Sequence, residues 1–436
     1  MKKNSILGTL LGLILLLPLA GISQKAEWVN QVLIGNGGKF ETAPPYNDYV
    51  TMQKYDPATQ VSNLFNTIYT QSVQDILIDG NYAYVAAQDS IIKYDINTYQ
   101  RVAAIADSGI ARLGLYNDRL IVTKQWPVVR FFVEILNANS LALLDRTQNI
   151  SGDCGDVITT KDSIYVAVNG GFLGTTGKLA VINPSNWDLS REINFGAQAV
   201  GIFDLYKYGK YIFSINRTPY GAGTSGSITA YNYTNYSYTN TVLSYALGEG
   251  IGVIDSLLYL KVDEGVGTFN LNTKQMVDPQ LIPDPGSVNH IYITSGATDY
   301  VNDQLYLNIG DRLSWGINVV ATTAGDSVTS FSTGISADAI VLDYRVPVSV
   351  NETKTPEAAV AVFPNPVSAQ ARIQYFGEGN VIAYSVVDLT GRTVARETWT
   401  NGSKIAYIDC TSYQSGLYFL TLTTDRETLT RKFIKK

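Results

Sequence analysis

Histidine is almost absent: His290 is the only one in 436 residues. That excludes a metal centre built from several imidazoles and leaves one candidate for any Ser-His-Asp arrangement. Cysteine is nearly as scarce. Cys154 and Cys410 fall in what read as different domains, so no disulfide framework holds the fold and two buried free thiols are expected. Charged residues make up only 16% of the chain, the net charge is −6, and no basic stripe of the kind that tracks nucleic acid is present. The run from Gly171 to Lys178 is one residue too long for a phosphate loop, and Leu179 stands where a hydroxyl is needed. No segment after the amino-terminal apolar run could span a bilayer as a helix. No metal or other cofactor is expected.

Tyrosine and glycine, by contrast, are plentiful at 29 and 37 residues, a composition suited to strands and turns on an exported surface. The chain opens with Lys2 and Lys3, then an apolar run from Ile6 to Ala20, then the small residues Gly21 and Ser23 before Gln24-Lys25. This pattern is that of a secretory signal peptide over residues 1–23; it holds no cysteine, so no lipoprotein anchor is expected.

A turn-plus-strand phrase returns about every forty-five residues: Asp79-Gly80-Asn81-Tyr82-Ala83-Tyr84, Asn117-Asp118-Arg119-Leu120-Ile121, Lys161-Asp162-Ser163-Ile164-Tyr165, Tyr208-Gly209-Lys210-Tyr211-Ile212, Asp255-Ser256-Leu257-Leu258-Tyr259 and Asn302-Asp303-Gln304-Leu305-Tyr306. Repeats of that period made of strands and turns predict a β-propeller, one four-stranded blade per copy. Asp338 to Asp343 reads as an inner strand with no partner, and Val32 to Asn36 as a second strand lacking its inner one. Joining them closes the ring and removes exposed edges. The expectation is an all-β fold, a seven-bladed β-propeller over residues 24–346 closed by a late inner strand, with six blades as the alternative. A proline-marked linker, 347–359, leads to residues 360–436, whose alternating runs and tight turns predict a small β-sandwich.

That last block carries Phe363-Pro364-Asn365-Pro366, Val387-Asp388-Leu389-Thr390-Gly391-Arg392, Ser415-Gly416-Leu417-Tyr418 and a basic tail. It resembles the type A carboxy-terminal sorting domain of the type IX secretion system of Bacteroidota. The resemblance implies the secretion machinery as a partner and passage across the outer membrane, followed by release or attachment at the cell surface. The repeats, such as Asp162-Ser163-Ile164-Tyr165-Val166, resemble those of YVTN-like surface propellers. Some proteins in that group look like surface capture proteins, including corrinoid binders, and the fold alone does not give function.

Four residues after each repeat Tyr or Ile stands an amide or acid: Gln88, Gln125, Asn169, Asn216 and Asp263, with Asn36 after Val32. Strand alternation places each at the strand's end, so in a closed ring they form a collar at one mouth of the central channel. The collar bonds turn backbone, touches a ligand, or both. Just beyond lie Trp126, Arg130, Phe172, Arg217, Tyr220, Glu264, Arg312 and Trp315, side chains able to cover a flat ligand or sugar face and fix its orientation, or else to pack the loops. The starts of inner strands carry Asp75, Asp156 and Asp338, with Arg112 in the matching place of the third blade and Asp299 about two residues out of register. His290 reads as an outer-strand residue of the sixth blade, and Tyr231, Tyr233, Tyr236 and Tyr238 as outer-strand decoration of the fifth. The leading reading is a secreted or surface non-enzymatic protein that captures an unknown small molecule or glycan. The rivals are a polysaccharide hydrolase or lyase with paired carboxylates, and an adhesion scaffold.

Overall fold

The computed structural model describes residues 27–345, apart from 42, 172–173 and 218–224, and residues 360–436, apart from 377–379, 400–403 and 427. The expected signal peptide and linker lie outside the described residues. The chain divides into two compact units, Met1–Val346 and Pro347–Lys436.

The first unit contains seven four-stranded antiparallel sheets, and it is a β-propeller. Six are built from consecutive strands, with inner strands Asp75–Asp79, Ile110–Tyr116, Cys154–Thr159, Ile202–Tyr208, Leu247–Ile254 and Tyr292–Asp299. These are numbered here as sheets two to seven. The first is composite: the late strand Ala337–Arg345 pairs with Trp28–Asn36, followed by Val50–Asp56 and Val61–Ile68. Each inner strand packs against the next, and Ala337–Arg345 packs against both Tyr292–Asp299 and Asp75–Asp79, so the circle is complete.

Alternation along the second strands explains why the sheets stack. In Tyr82–Ala87, Ala83, Val85 and Ala87 face sheet one, while Tyr84 and Ala86 face sheet three. Both faces are covered, so the strand is apolar throughout. Seven such clusters fill the seven interfaces between neighbouring sheets. Tyr84, Tyr165, Tyr259 and Tyr306 are the large residues of this set, each contributing about 1.5–3 kcal/mol over an exposed ring. The Tyr84 hydroxyl, sealed in the interface, donates to the Ala138 carbonyl at 2.8 Å. Tyr231 belongs to the same system: it is buried against Tyr165 and Phe195, so it is core and not outer decoration, whereas Tyr236 and Tyr238 are exposed.

A second repeat joins the third and fourth strands. Asp56, Asp95, Asn137, Asn183, Asn232 and Asn270 each accept, through the side chain, the N–H two residues on. Each also accepts on its carbonyl the N–H four residues on, from Gln60, Tyr99, Leu141, Trp187, Tyr236 and Lys274, all at φ of 57° to 63°. A short polar side chain that bonds its own turn makes the left-handed residue tolerable without glycine.

The second unit packs a three-stranded sheet (Val360–Phe363, Gln370–Tyr375, Ile405–Asp409) and a four-stranded one (Thr393–Thr398, Val381–Asp388, Gly416–Thr424, Thr428–Lys435) around Val362, Ile373, Tyr384, Val386, Leu420 and Phe433. Asn365 of the Phe-Pro-Asn-Pro phrase accepts the Ile434 N–H at 2.9 Å, tying the first motif to the basic tail. Cys154 and Cys410 are both free and buried.

Candidate functional site

The inner strands begin at one mouth of the channel, where the second strands end: Asp75 lies opposite Ala86, Ile110 opposite Lys124, Ile202 opposite Asn216 and Ala337 opposite Asn36. At this level six of the seven inner strands slip register against their partners. Arg112, Asp156, Glu249 and Asp338 fall within these bulges and Asp204 flanks one. A bulge re-aims a side chain, and here the re-aimed groups line the channel. The resulting cavity is about 760 Å³ and is lined by Asp75, Arg112, Asp156, Asp204, Glu249, Arg312 and Asp338, together with Tyr206, Ser295 and apolar strand residues.

Three carboxylates span neighbouring sheets. Asp75 accepts the Leu113 N–H (2.8 Å), Asp156 the Leu205 N–H (2.8 Å) and Asp204 the Gly250 N–H (2.7 Å). Asp75 and Asp156 also accept the N–H of the next residue in their own strand. Arg217 and Lys261, on the second strands of sheets five and six, pair with Glu249 at 2.9 and 3.3 Å, and Arg312 reaches in from a loop to pair with Asp338 at 2.7 Å. Arg112 donates to the carbonyls of Gln74 and Ala111, both at 3.1 Å, and its other terminal nitrogen lies 3.8 Å from Asp204.

Burial and neighbouring charges together set their ionisation. Burial, reinforced by the Asp204 charge, pushes Asp156 up to about 7. Burial raises Asp338 to about 6 even though Arg312 opposes it, and it also raises Asp75 and Asp204 against the pull of Arg112. Glu249 goes the other way. Burial works against its charge, but Lys261 and Arg217 outweigh that and hold it well below the usual carboxylate range. Arg112 is likewise held charged against burial by Asp204, Asp75 and Asp156. Among the described residues no group of three or more His, Cys, Asp or Glu is arranged to hold a metal ion.

The collar residues do stand at this mouth, and most of their polar atoms are spent on the protein. Asn36 is buried, donating to Thr51 and Gln53 and accepting the Gly334 N–H. Asn216 is buried among Ser214, Ser227 and Thr229, and Asn169 accepts the Gly171 N–H. Gln88 accepts the Gln71 N–H and Asp263 the Ala246 N–H. Gln125 is half-buried. Of the residues expected just beyond the collar, Arg217 and Arg312 are drawn to the channel acids. Trp126 is 70% exposed and Trp315 40%. Arg130 lies over the Phe131 ring, and Glu264 is exposed in a tight turn with Asp263. Phe172 and Tyr220 lie outside the described residues.

Two placements differ from the sequence reading. The inner strand of sheet seven begins at Tyr292, earlier than expected, so Asp299 sits at its far end, buried and capping the Val301 and Asn302 N–H groups. His290 is not on an outer strand. It precedes Tyr292 in the connection into that inner strand, exposed, with its ring 3.3 Å from the Tyr292 hydroxyl. Asp204 and Glu249 were missing from the expected set. The signal was a spacing of nine from charged residue to repeat residue (Asp75 to Tyr84, Arg112 to Ile121, Asp156 to Tyr165), which becomes eight at Asp204 and ten at Glu249.

Residues 361–436 match the family described as the secretion system C-terminal sorting domain. The tail routes the protein through the type IX secretion system to the cell surface or beyond it. No curated protein matches the chain in sequence. Among solved structures, it is similar to a candidate 6-phosphogluconolactonase from Bacteroides fragilis, with 10% identity, 72% of this chain and 98% of that one covered, and a TM-score of 0.52. It is also similar to hydrazine synthase from Kuenenia stuttgartiensis, with 12% identity, 65% and 90% covered, and a TM-score of 0.50. At such identities the likeness is one of fold alone. No described helix is long and apolar enough to cross a membrane.

Proposed function

We propose that this is an extracellular binding protein of the YVTN-like kind from a member of the Bacteroidota, capturing a small molecule or glycan at the charged mouth of its propeller. The observation that carries the reading is the cavity of about 760 Å³, a size suited to a small ligand, at the face where the expected collar and loop aromatics also lie. In this reading the collar residues Asn36, Gln88, Gln125, Asn169, Asn216 and Asp263 hold the rim in shape. Trp126, Arg130, Glu264 and Trp315 supply outer contact, and Arg217 and Arg312 shape the charged floor. The test is equilibrium binding of the full chain to glycans, corrinoids and haem. Replacing Trp126 and Trp315 with Ala should weaken any binding found while leaving the melting curve in place. Unchanged affinity would remove the loops from the site.

One observation favours the hydrolase reading: Asp156 and Glu249, in one cavity, are driven to opposite ionisation, as an acid and its partner would be. Release of reducing ends from a bound glycan would decide for it.

A further inference from the structure

We propose that the channel ligand is an uncharged polyhydroxyl compound, a sugar or sugar alcohol, held between Arg112 and Asp204. This rests on the capture reading and narrows its ligand. The Arg112 side chain starts from sheet three and reaches Asp204 of sheet five, passing over sheet four, so its guanidinium stands out in the channel. One terminal nitrogen is committed to the carbonyls of Gln74 and Ala111. The other, and Nε, make no hydrogen bond to any described residue. The gap of 3.8 Å to Asp204 Oδ1 is too long for a hydrogen bond. It is the right width for one oxygen about 2.8 Å from both atoms. That oxygen must accept from the guanidinium and donate to the carboxylate. A hydroxyl does both; an ionised carboxylate group cannot donate, and an ammonium cannot accept.

The surroundings argue the same way. An anion at this point would face Asp75, Asp156, Asp204 and Glu249, whereas a cation would face Arg112. Mixed charge at close range suits dipolar groups that carry no net charge. Tyr206 lines the same cavity, its hydroxyl makes no hydrogen bond to a described residue, and its ring offers an apolar face of the kind sugars stack on. Its hydroxyl lies over Gly250, where a Cβ would come within 2.1 Å of it, so the glycine is what lets the ring lie there. The Arg112 side chain keeps 28% of its surface exposed, so these donors are open to an incoming hydroxyl.

The experiment is calorimetry and saturation-transfer NMR on the full chain with D-glucose, D-xylose and D-mannitol, alongside spermidine and D-glucuronate. The uncharged probes should bind, and Arg112→Gln and Asp204→Asn should each weaken them about tenfold or more. Either variant could disturb the ring, so Tyr206→Phe is the second measurement. It should weaken the same probes about threefold to tenfold with an unchanged melting curve. Binding of spermidine or glucuronate in place of the uncharged probes, lost in Arg112→Gln, would overturn the polyol assignment and leave capture standing. Sugar binding indifferent to all three substitutions would place the ligand outside the channel and overturn the assignment as well. No binding by any probe would overturn the polyol assignment and leave capture to the glycan, corrinoid and haem measurements.

Discussion

Asp156 allows a sharp test of how the channel acids act on the ring, through the substitution Asp156→Asn. The carboxylate accepts two N–H groups, from Val157 in its own strand and Leu205 in the next sheet. An amide of the same shape has one acceptor oxygen and turns its NH2 toward the other N–H, where even a protonated carboxyl still offers its hydroxyl oxygen, so one buried N–H loses its partner, at about 1–3 kcal/mol. Against that stands the penalty for holding a charge there. The carboxyl is raised from 3.8 to about 7 in the folded protein, so between those values the native state keeps a proton that the unfolded chain has released. Stability from this group therefore falls as pH rises, and it makes the wild type about 2–3 kcal/mol more stable at about pH 5 than at about pH 8. Asp75, Asp204 and Asp338 push in the same direction. They remain in the variant and largely cancel in the comparison. Glu249, held low, contributes stability above its unfolded value of 4.5, which is lost only on going more acid than this window. The asparagine variant should thus be less stable than wild type near pH 5 and equal to it, or more stable, near pH 8. Urea melts of the full chain followed by circular dichroism at both values measure this. An equal loss at both would show that the buried charge is not opposed by its surroundings, and the account of the ring of acids would fail.

Gly250→Ala should cost about 1–3 kcal/mol, because the new methyl meets the Tyr206 ring and hydroxyl; adding Tyr206→Phe should recover part of the loss in the same melts. Deleting residues 361–436 should leave a folded propeller in the periplasm, detected by fractionation and proteolysis. Normal surface display of that truncation would refute the sorting role of the tail.

Architecture was legible because it is written in a short alphabet. Tyr84, Tyr165, Tyr259 and Tyr306 recur since each fills the interface to a neighbouring sheet, and a position that must fill the same space in every sheet repeats visibly. The late strand around Asp338 to Asp343 was legible for a related reason: an apolar strand with no partner must find one. The site was harder to read. Asp75, Arg112 and Asp156 stand nine residues before the repeat residue, whereas Asp204 stands eight before and Glu249 ten before, so the later acids fall out of the pattern. The collar amides were placed at the right level, but residue type alone does not tell an amide turned to its own loop, as in Asn36 and Asn216, from one left free for a ligand. The Asp/Asn turn after Tyr55, Tyr94 and Tyr231 was in plain view as a second repeat.

Pairing Trp28 with Arg345 has a consequence for export. The seal of the propeller joins residues more than three hundred positions apart, so it can form only when almost the whole unit is present. Until then the strand Trp28–Asn36 offers an unsatisfied edge, open to stray strands. Because the sealing strand ends at Arg345 and the sorting family begins at residue 361, cutting the tail away after transport would sever none of the hydrogen bonds that shut the circle.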